Sequence, residues 1–249
     1  MVQDRAKDCH FSGETATETV IQVLDGDTVR LQGGASVRLI GVNSPELGHD
    51  GQPDQELARE AKEFLQDLLQ LPQLVQLLSG QKSRDHYGRR LAHMALLDGS
   101  NVQQLLLQAG LAFHISSPPN LTFNDCYVRA QRLARQAGLG VWALPVYGAI
   151  EAQTLAAEQA GFMRVVGRVG RITRTQNSLW LPMSKEFSLR IQSRDLVYFN
   201  DAELKKMIGS RWEVSGWVRH VGSQSVMLLR HPSVIVQPNR AGQQHKITK

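Results

Sequence analysis

Between Glu18 and Leu31 the apolar residues Val20, Ile21, Val23, Leu24, Val29 and Leu31 flank a polar Asp25-Gly26 step. The pattern predicts two short strands joined by a hairpin turn. Ala35 to Val42 predicts a third strand, with Val37, Leu39 and Gly41 on one face and Arg38, Ile40 and Val42 on the other, and Ser44-Pro45 ends it. Asp85 to Gly88 has turn composition and leads into a strand from Arg90 to Leu97. Helical spacing takes over from Asp54 to Gln70, where Leu57, Ala61, Phe64, Leu65 and Leu68 form one stripe and most of the charges lie off it. Asn101 followed by Gln104 has the form of a capping box before a helix through Leu105 to Gln108, which Gly110 stops. Thr122 with Asp125 starts another helix, closed by Gly138, whose Arg129, Arg132 and Arg135 fit a solvated face better than the alternative, a contact with nucleic acid.

After Trp142 the pattern changes. Leu144 to Gly161 reads as a connector with an alanine-rich helix around Glu151 to Gln159. Beyond it, Phe162–Thr173, Ser178–Pro182, Phe187–Ile191, Arg211–Val221 and Ser225–Leu229 alternate as strands, with a helix over Asp201–Met207. Three strands, a helix and two strands is the order of a small oligonucleotide-binding (OB) barrel. The expected fold class is mainly β with α. The expected organisation is an extension over 1–16, a first domain over 17–143, a linker over 144–161, a second barrel over 162–238 and a flexible tail over 239–249. No apolar run is long enough to span a membrane as a helix.

Candidate chemistry gathers in three short stretches of the first domain: Asp25-Gly26-Asp27-Thr28, Arg38 through Asn43-Ser44-Pro45-Glu46, and Asp85-His86-Tyr87-Gly88-Arg89. They supply carboxylates for a hard cation, two guanidinium groups and a candidate general base, the equipment for attacking a phosphodiester. Arginine suits this task because its planar fork pairs two phosphate oxygens at once. Taken singly, each stretch is ordinary turn or strand sequence. The eight histidines form no His-x-x-x-His pair, and there is no glycine-rich nucleotide loop.

Three such motifs in this order, followed by Asn101 to Gly110, Leu111-Ala112 and Gly138-Leu139-Gly140-Val141-Trp142, resemble the staphylococcal nuclease (thermonuclease) family over about residues 17 to 143. The resemblance implies a five-stranded OB-type barrel with three helices. It also implies calcium-dependent hydrolysis of DNA and RNA in which the 5′ P–O bond breaks and a 3′-phosphate remains. By position it makes Asp27 the carboxylate ligand of the metal, Ser44 a backbone-carbonyl ligand and Asp25 a neighbour beyond direct ligation. Glu46 orients or deprotonates the attacking water, Arg38 and Arg89 hold the phosphate, and Tyr87, with Asp85 and His86, contacts the substrate. Two positions depart from the family. Asn43 stands where a second calcium-binding aspartate is found, which predicts weaker calcium binding or a broader metal choice, with Mn2+ or Mg2+ as alternatives. Phe113-His114-Ile115-Ser116-Ser117-Pro118 stands where two tyrosines grip a terminal phosphate.

Charge is unevenly divided. Residues 1–150 hold 13 Lys or Arg against 16 Asp or Glu, net −3, whereas residues 151–249 hold 15 against 7, net +8. The second half, with Arg164, Arg168, Arg171, Arg174 and Arg190 and with Trp180, Phe187, Tyr198, Phe199 and Trp217, has the composition of a sequence-tolerant grip on single strands. The competing reading is a non-catalytic nucleic-acid-binding protein of two similar barrels. Cys9 and Cys126 are the only cysteines; they either pair across the first domain or remain thiols in a reducing cytosol. Because bacterial members of the family are often exported, the expectation is a periplasmic or secreted protein whose leader has been removed, with cytoplasm as the alternative.

Overall fold

The computed structural model describes residues 9–48, 51–156, 158–222 and 224–237; the expected tail and the first half of the expected N-terminal extension fall outside them. The chain divides into two compact units, residues 1–147 and 148–249.

In the first unit, β1 (Ala16–Asp25), β2 (Thr28–Leu31) and β3 (Ser36–Leu39) form a meander. A short β4 (Val42–Asn43) follows, then helix α1 (Ala58–Leu69), the hairpin β5 (Gln73–Arg84) and β6 (Arg90–Leu96), helix α2 (Val102–Gln108), β7 (Phe113–His114) and helix α3 (Asn124–Ala137). The sheet closes into a barrel in the order β1-β2-β3-β6-β5, so β3 and β6 run parallel. Buried Val20, Val23, Val29, Leu31, Val37, Leu39, Val75, Leu77, Ala92 and Met94 share one core with Leu65 and Leu69 of α1 and with Leu106 and Leu107 of α2. The alternation of β1 breaks between Val20 and Gln22, where a register shift leaves Ile21 44% exposed. A bulge adds a residue without a partner, so the apolar Ile21 does not mark the core face.

Three expectations need correction. Helix α1 starts at Ala58, not Asp54: Asp54 is held in the preceding loop, its carboxylate accepting from Gly48 N and from Arg59 Nε. The third strand ends at Leu39, because Gly41 has φ +86° and turns the chain away to pair β4 with β7. Helix α3 is preceded by Phe123, with no side-chain cap from Thr122, although Gly138 closes it in the left-handed conformation. The Asn101 cap is present: its Oδ1 accepts from Gln104 N at 3.0 Å, while its Nδ2 donates to the Cys9 carbonyl.

The second unit contains β8 (Ile150–Glu151), β9 (Gly161–Arg168), β10 (Thr173–Arg174), β11 (Ser178–Pro182), β12 (Phe187–Gln192), helix α4 (Asp201–Met207), β13 (Arg211–Val221), β14 (Gln224–Leu228) and β15 (Ile235–Val236). The expected helix around Glu151 to Gln159 is absent among the described residues: β8 instead pairs with β9, and Ala152 and Leu155 are buried in the core. The long strand expected over 162–173 is interrupted between Arg168 and Thr173. Its first part pairs with β13 and its second with β11, and β12 runs parallel to β14. Treating β9 and β10 as one interrupted strand, the order β10-β11-β12-β14-β13-β9 repeats the order of the first barrel. This is a second barrel-like sheet.

Cys9 and Cys126 form a disulfide, with Cα atoms 5.8 Å apart and a sequence separation of 117. On the chain-entropy account a loop of this length contributes about 5 kcal/mol. Reduction, or Cys9→Ser with Cys126→Ser, is expected to lower the urea midpoint of the first unit's transition by a corresponding amount. His93 is 1% exposed, and burial pushes its pKa down to about 3. It is neutral in the fold, whereas the unfolded chain takes up a proton below about pH 6.5. Stability is therefore full above that pH and falls as pH drops from about 6.5 toward 3, by up to about 1.4 kcal/mol per unit. Urea melts between pH 7 and 4 should show this slope in the native protein and a shallower one in His93→Gln.

Candidate active site

The Asp25-Gly26-Asp27-Thr28 stretch makes the tight turn between β1 and β2, with Asp25 paired to Thr28 and Gly26-Asp27 at the tip. Asp25 Oδ1 accepts from Asp27 N at 2.9 Å, which shapes the turn and sets the second carboxylate inward. Asp27 is 2% exposed. Its Oδ1 accepts from Thr28 Oγ1, and its Oδ2 accepts from Ser44 N at 2.9 Å and meets Arg38 Nη2 at 2.8 Å. The pairing of Thr28 with Arg38 across β2 and β3 places that guanidinium beside the turn.

Arg38 is bound on several sides. Its Nη1 donates to the carbonyls of Leu39 and Val42, and its Nη2 also donates to Asn43 Oδ1 at 3.2 Å. Asn43 thus serves Arg38 with the amide oxygen that an aspartate would have offered as a charge. Burial is the largest influence on Asp27 and raises its pKa; Arg38 opposes this and Asp25 adds to it. A buried carboxylate that ionises at a cost is one that a bound cation would stabilise.

Two glycines permit this approach. A Cβ on Gly26 would lie 2.7 Å from Ala61 Cβ and from Ser44 Oγ, so the turn nests against α1 and the loop after β4 only as glycine. A Cβ on Gly41 would lie 2.6 Å from the ring of Tyr127. Glu46 follows two residues after Ser44 on the exposed loop, where Gln55 holds its backbone: Glu46 N donates to Gln55 Oε1 and Gln55 N donates to the Glu46 carbonyl. Gln55 was not legible as part of this arrangement, because a glutamine in a polar loop carries no periodic or motif signal.

The third stretch is a self-contained turn at the start of β6. Asp85 Oδ1 accepts from the backbone N of Tyr87 and of Arg89, and Oδ2 meets Arg89 Nε at 2.7 Å. Burial acts to raise the Asp85 pKa, but the bonds from Arg89 and Tyr87 outweigh it and hold the carboxyl below its usual value. The Arg89 guanidinium lies 5.4 Å from the centre of the Tyr87 ring, itself 73% exposed and against His86. Asp85 here organises the turn and aims Arg89. Because β6 lies beside β3, with Arg38 opposite Leu91, Arg89 stands at the entrance of the strand that neighbours Arg38.

The structure therefore brings Asp25, Asp27, Arg38, Asn43 and Ser44 into one bonded cluster, and collects Asp85, His86, Tyr87 and Arg89 in a second. Ser116 serves the interior, with its Oγ donating to Asn124 Oδ1 and lying 3.1 Å from His114 Nε2. Among the described residues no group of three or more His, Cys, Asp or Glu side chains is arranged to hold a metal ion. The donors present around Asp27 are oxygens of carboxylate, amide and carbonyl type, which in kind fit a hard divalent cation.

The family model described as "Staphylococcal nuclease homologue" matches residues 36–144. The chain is 31% identical over 129 residues to a thermonuclease of Staphylococcus hyicus, covering 51% of this chain and 75% of that protein. It is 35% identical over 127 residues to a thermonuclease of Staphylococcus intermedius, covering 49% and 74%. Endonuclease YhcR of Bacillus subtilis (strain 168) is 27% identical over 143 residues, covering 53% of this chain but 12% of that protein.

Gly41→Ala combines a positive φ with a clash against Tyr127, and is expected to cost roughly 2–4 kcal/mol in urea unfolding. Activity measured well below the new midpoint should also fall, because the same turn positions Asn43 and Ser44.

Proposed function

This chain belongs to the staphylococcal nuclease family, and on that premise we propose that it is a metal-dependent nuclease. It would hydrolyse phosphodiester bonds of DNA, RNA or both with little sequence preference. The observation that carries the reading is the buried Asp27 carboxylate, bound at once by Arg38 and Ser44 N at a barrel turn, in the family's own motif order.

In this reading Asp27, the Ser44 carbonyl and Asn43 hold a divalent cation, calcium foremost and manganese or magnesium as alternatives. Such an ion supplies charge neutralisation at the phosphate and favours ionisation of bound water. Asp25 keeps the Asp27 turn in shape. Arg38 shares its Nη2 between Asp27 and Asn43, so a phosphate oxygen is taken up by exchange with one of these partners. Arg89, braced by Asp85, presents its remaining N–H groups to the same phosphoryl group from the neighbouring strand. The two guanidinium groups stabilise the negative charge that grows on the phosphoryl oxygens as water attacks. Glu46 accepts or directs the proton of that water from the exposed loop that Gln55 holds. The exposed ring of Tyr87, with His86, faces the nucleotide.

The basic second unit is proposed to hold single-stranded substrate for this site. The disulfide suits an oxidising compartment, which supports a periplasmic or secreted protein. A second reading, a nucleic-acid-binding protein whose nuclease site is inactive, is favoured by one observation: Asn43 is bonded to Arg38 where the family has a charged ligand.

End-labelled single- and double-stranded DNA and RNA, incubated with calcium, manganese, magnesium or chelator, test the proposal. Cleavage that chelator abolishes, with 3′-phosphate ends, is expected; absence of cleavage under every condition would favour the binding-protein reading. Glu46→Gln and Arg89→Ala are each expected to lower kcat by about 10²- to 10⁴-fold with substrate binding retained. Asn43→Asp should lower the calcium concentration needed for half-maximal rate, and an unchanged requirement would remove Asn43 from the metal site.

A further inference from the structure

The outer face of the second sheet carries a row that sequence order does not reveal. Leu181, Leu189, Met227 and Val218 point into the core, so the residues that alternate with them lie on the opposite face. Cross-strand pairing lines these up: Trp180 opposes Arg190, Arg190 is beside Leu228, and Trp217 opposes Phe162. Leu228 lies one residue past the last β13–β14 pair, Val218 with Met227, which sets it next to Trp217. Five strands thus contribute one continuous row, Trp180-Arg190-Leu228-Trp217-Phe162. At one strand spacing per step, Trp180 and Trp217 are about 14 Å apart.

The row is built and open. The Arg190 guanidinium lies 5.2 Å from the Trp180 ring centre, with Nε donating to Ser178 Oγ at 2.7 Å. Trp217 packs edge-on against Phe162 with ring centres 5.1 Å apart, yet remains 42% exposed, and Leu228 is 38% exposed. Arg219 follows Trp217 by two residues on the same face of β13 and is exposed. The nearby acid on this face, Glu213, is neutralised by Arg164 at 2.8 Å. Exposed Trp217 and Leu228 adjoin half-buried Phe162 and Trp180, and a contiguous apolar stretch of this kind marks an interaction site. The surrounding charge selects among occupants: a half-chain of net +8 with arginines beside stacking rings complements a polyanion with flat bases.

We propose that the row Trp180-Arg190-Leu228-Trp217-Phe162 is a stacking platform for single-stranded nucleic acid, with Trp217 as the principal base contact and Arg190 and Arg219 meeting the backbone. It deepens the nuclease reading, on which it rests for its biological role, by locating where the second unit holds substrate. The expected aromatics sort accordingly. Phe187 is buried in the core, and Tyr198 and Phe199 lie in the segment before α4 rather than in this row.

The test uses the full chain in excess chelator, with a labelled twelve-residue oligothymidylate and its duplex. Native protein is expected to bind the single strand more tightly than the duplex, with quenching of tryptophan fluorescence. Trp217→Ala should weaken binding by about ten-fold or more and remove much of the quenching. Trp217→Phe should retain most of the affinity, and Val197→Ala, at a site 81% exposed in the segment before α4, should bind as native. Hydrolysis of a small nitrophenyl phosphodiester with metal present should be unaffected in all three variants. Unchanged binding and quenching in Trp217→Ala, or no binding of the oligonucleotide by native protein, would overturn the platform. Intact binding with no hydrolysis by native protein would count against the nuclease reading alone.

Discussion

The contact between the Tyr127 ring and Gly41 is the constraint on which the candidate site depends. Tyr127 lies on the buried face of α3, its hydroxyl pairs with His93 Nδ1 and donates to Asn101 Oδ1, and its ring lies where a Cβ at position 41 would stand. Burial holds the phenol protonated, so it remains a donor at every physiological pH. The ring leaves room only for glycine at position 41, and that glycine, at φ +86°, turns the chain after β3 so that it crosses to β7. That crossing brings Asn43 and Ser44 back over the β1–β2 turn, where Ser44 N reaches Asp27. One packing contact in the core therefore sets the geometry of a polar cluster at the barrel rim.

The same segment is secured from the other side by the N-terminal region. Cys9 is joined to α3 through Cys126, its N donates to Gln104 Oε1, and its carbonyl accepts from Asn101. Asn101 thus caps α2, receives the Tyr127 hydroxyl and anchors the segment before β1 at Cys9. Gln103, fully buried, adds a further tie: its Oε1 accepts from Met94 N, and its Nε2 lies within reach of the Ile40 and Ala92 carbonyls. These buried amides satisfy backbone groups where β3 and β6 diverge, a place where an unpaired group would cost roughly 1–3 kcal/mol.

The two sheets solve one topological problem with different sequences. In both, a first strand is shared between two neighbours and a parallel pair completes the order, but in the second unit that first strand is interrupted between Arg168 and Thr173. Gly170 N donates to the Pro182 carbonyl inside the gap, so the chain stays attached to β11 while it changes direction. The first unit places its chemistry on turns at the strand ends. The second presents side chains across its outer face, and the proposed division between reaction and strand-holding rests on this difference in where polar and aromatic groups lie.

Much of this was readable from residue order. The hairpin at Asp25-Gly26, the Asn101 cap, the close at Gly138, the helix over Asp201–Met207 and the strands flanking it depend on short-range periodicity and turn chemistry, which sequence carries directly. So did the grouping of Asp27, Arg38, Asn43 and Ser44, through motif order. The rest depended on contacts and pairings that no periodic pattern encodes. The start of α1 moved because Asp54 found partners in its own loop, and β5 has too little alternation to be separated from a helix. Ile150 and Glu151 became strand because β9 was available as a partner, the turn after them buries Ala152 and Leu155, and Ile21 faces outward because a bulge changed its parity. A sequence states which residues can bind a phosphate or stack on a base, since that is chemistry each side chain owns. Which of them share a surface is decided by register, and register is set only when the core closes.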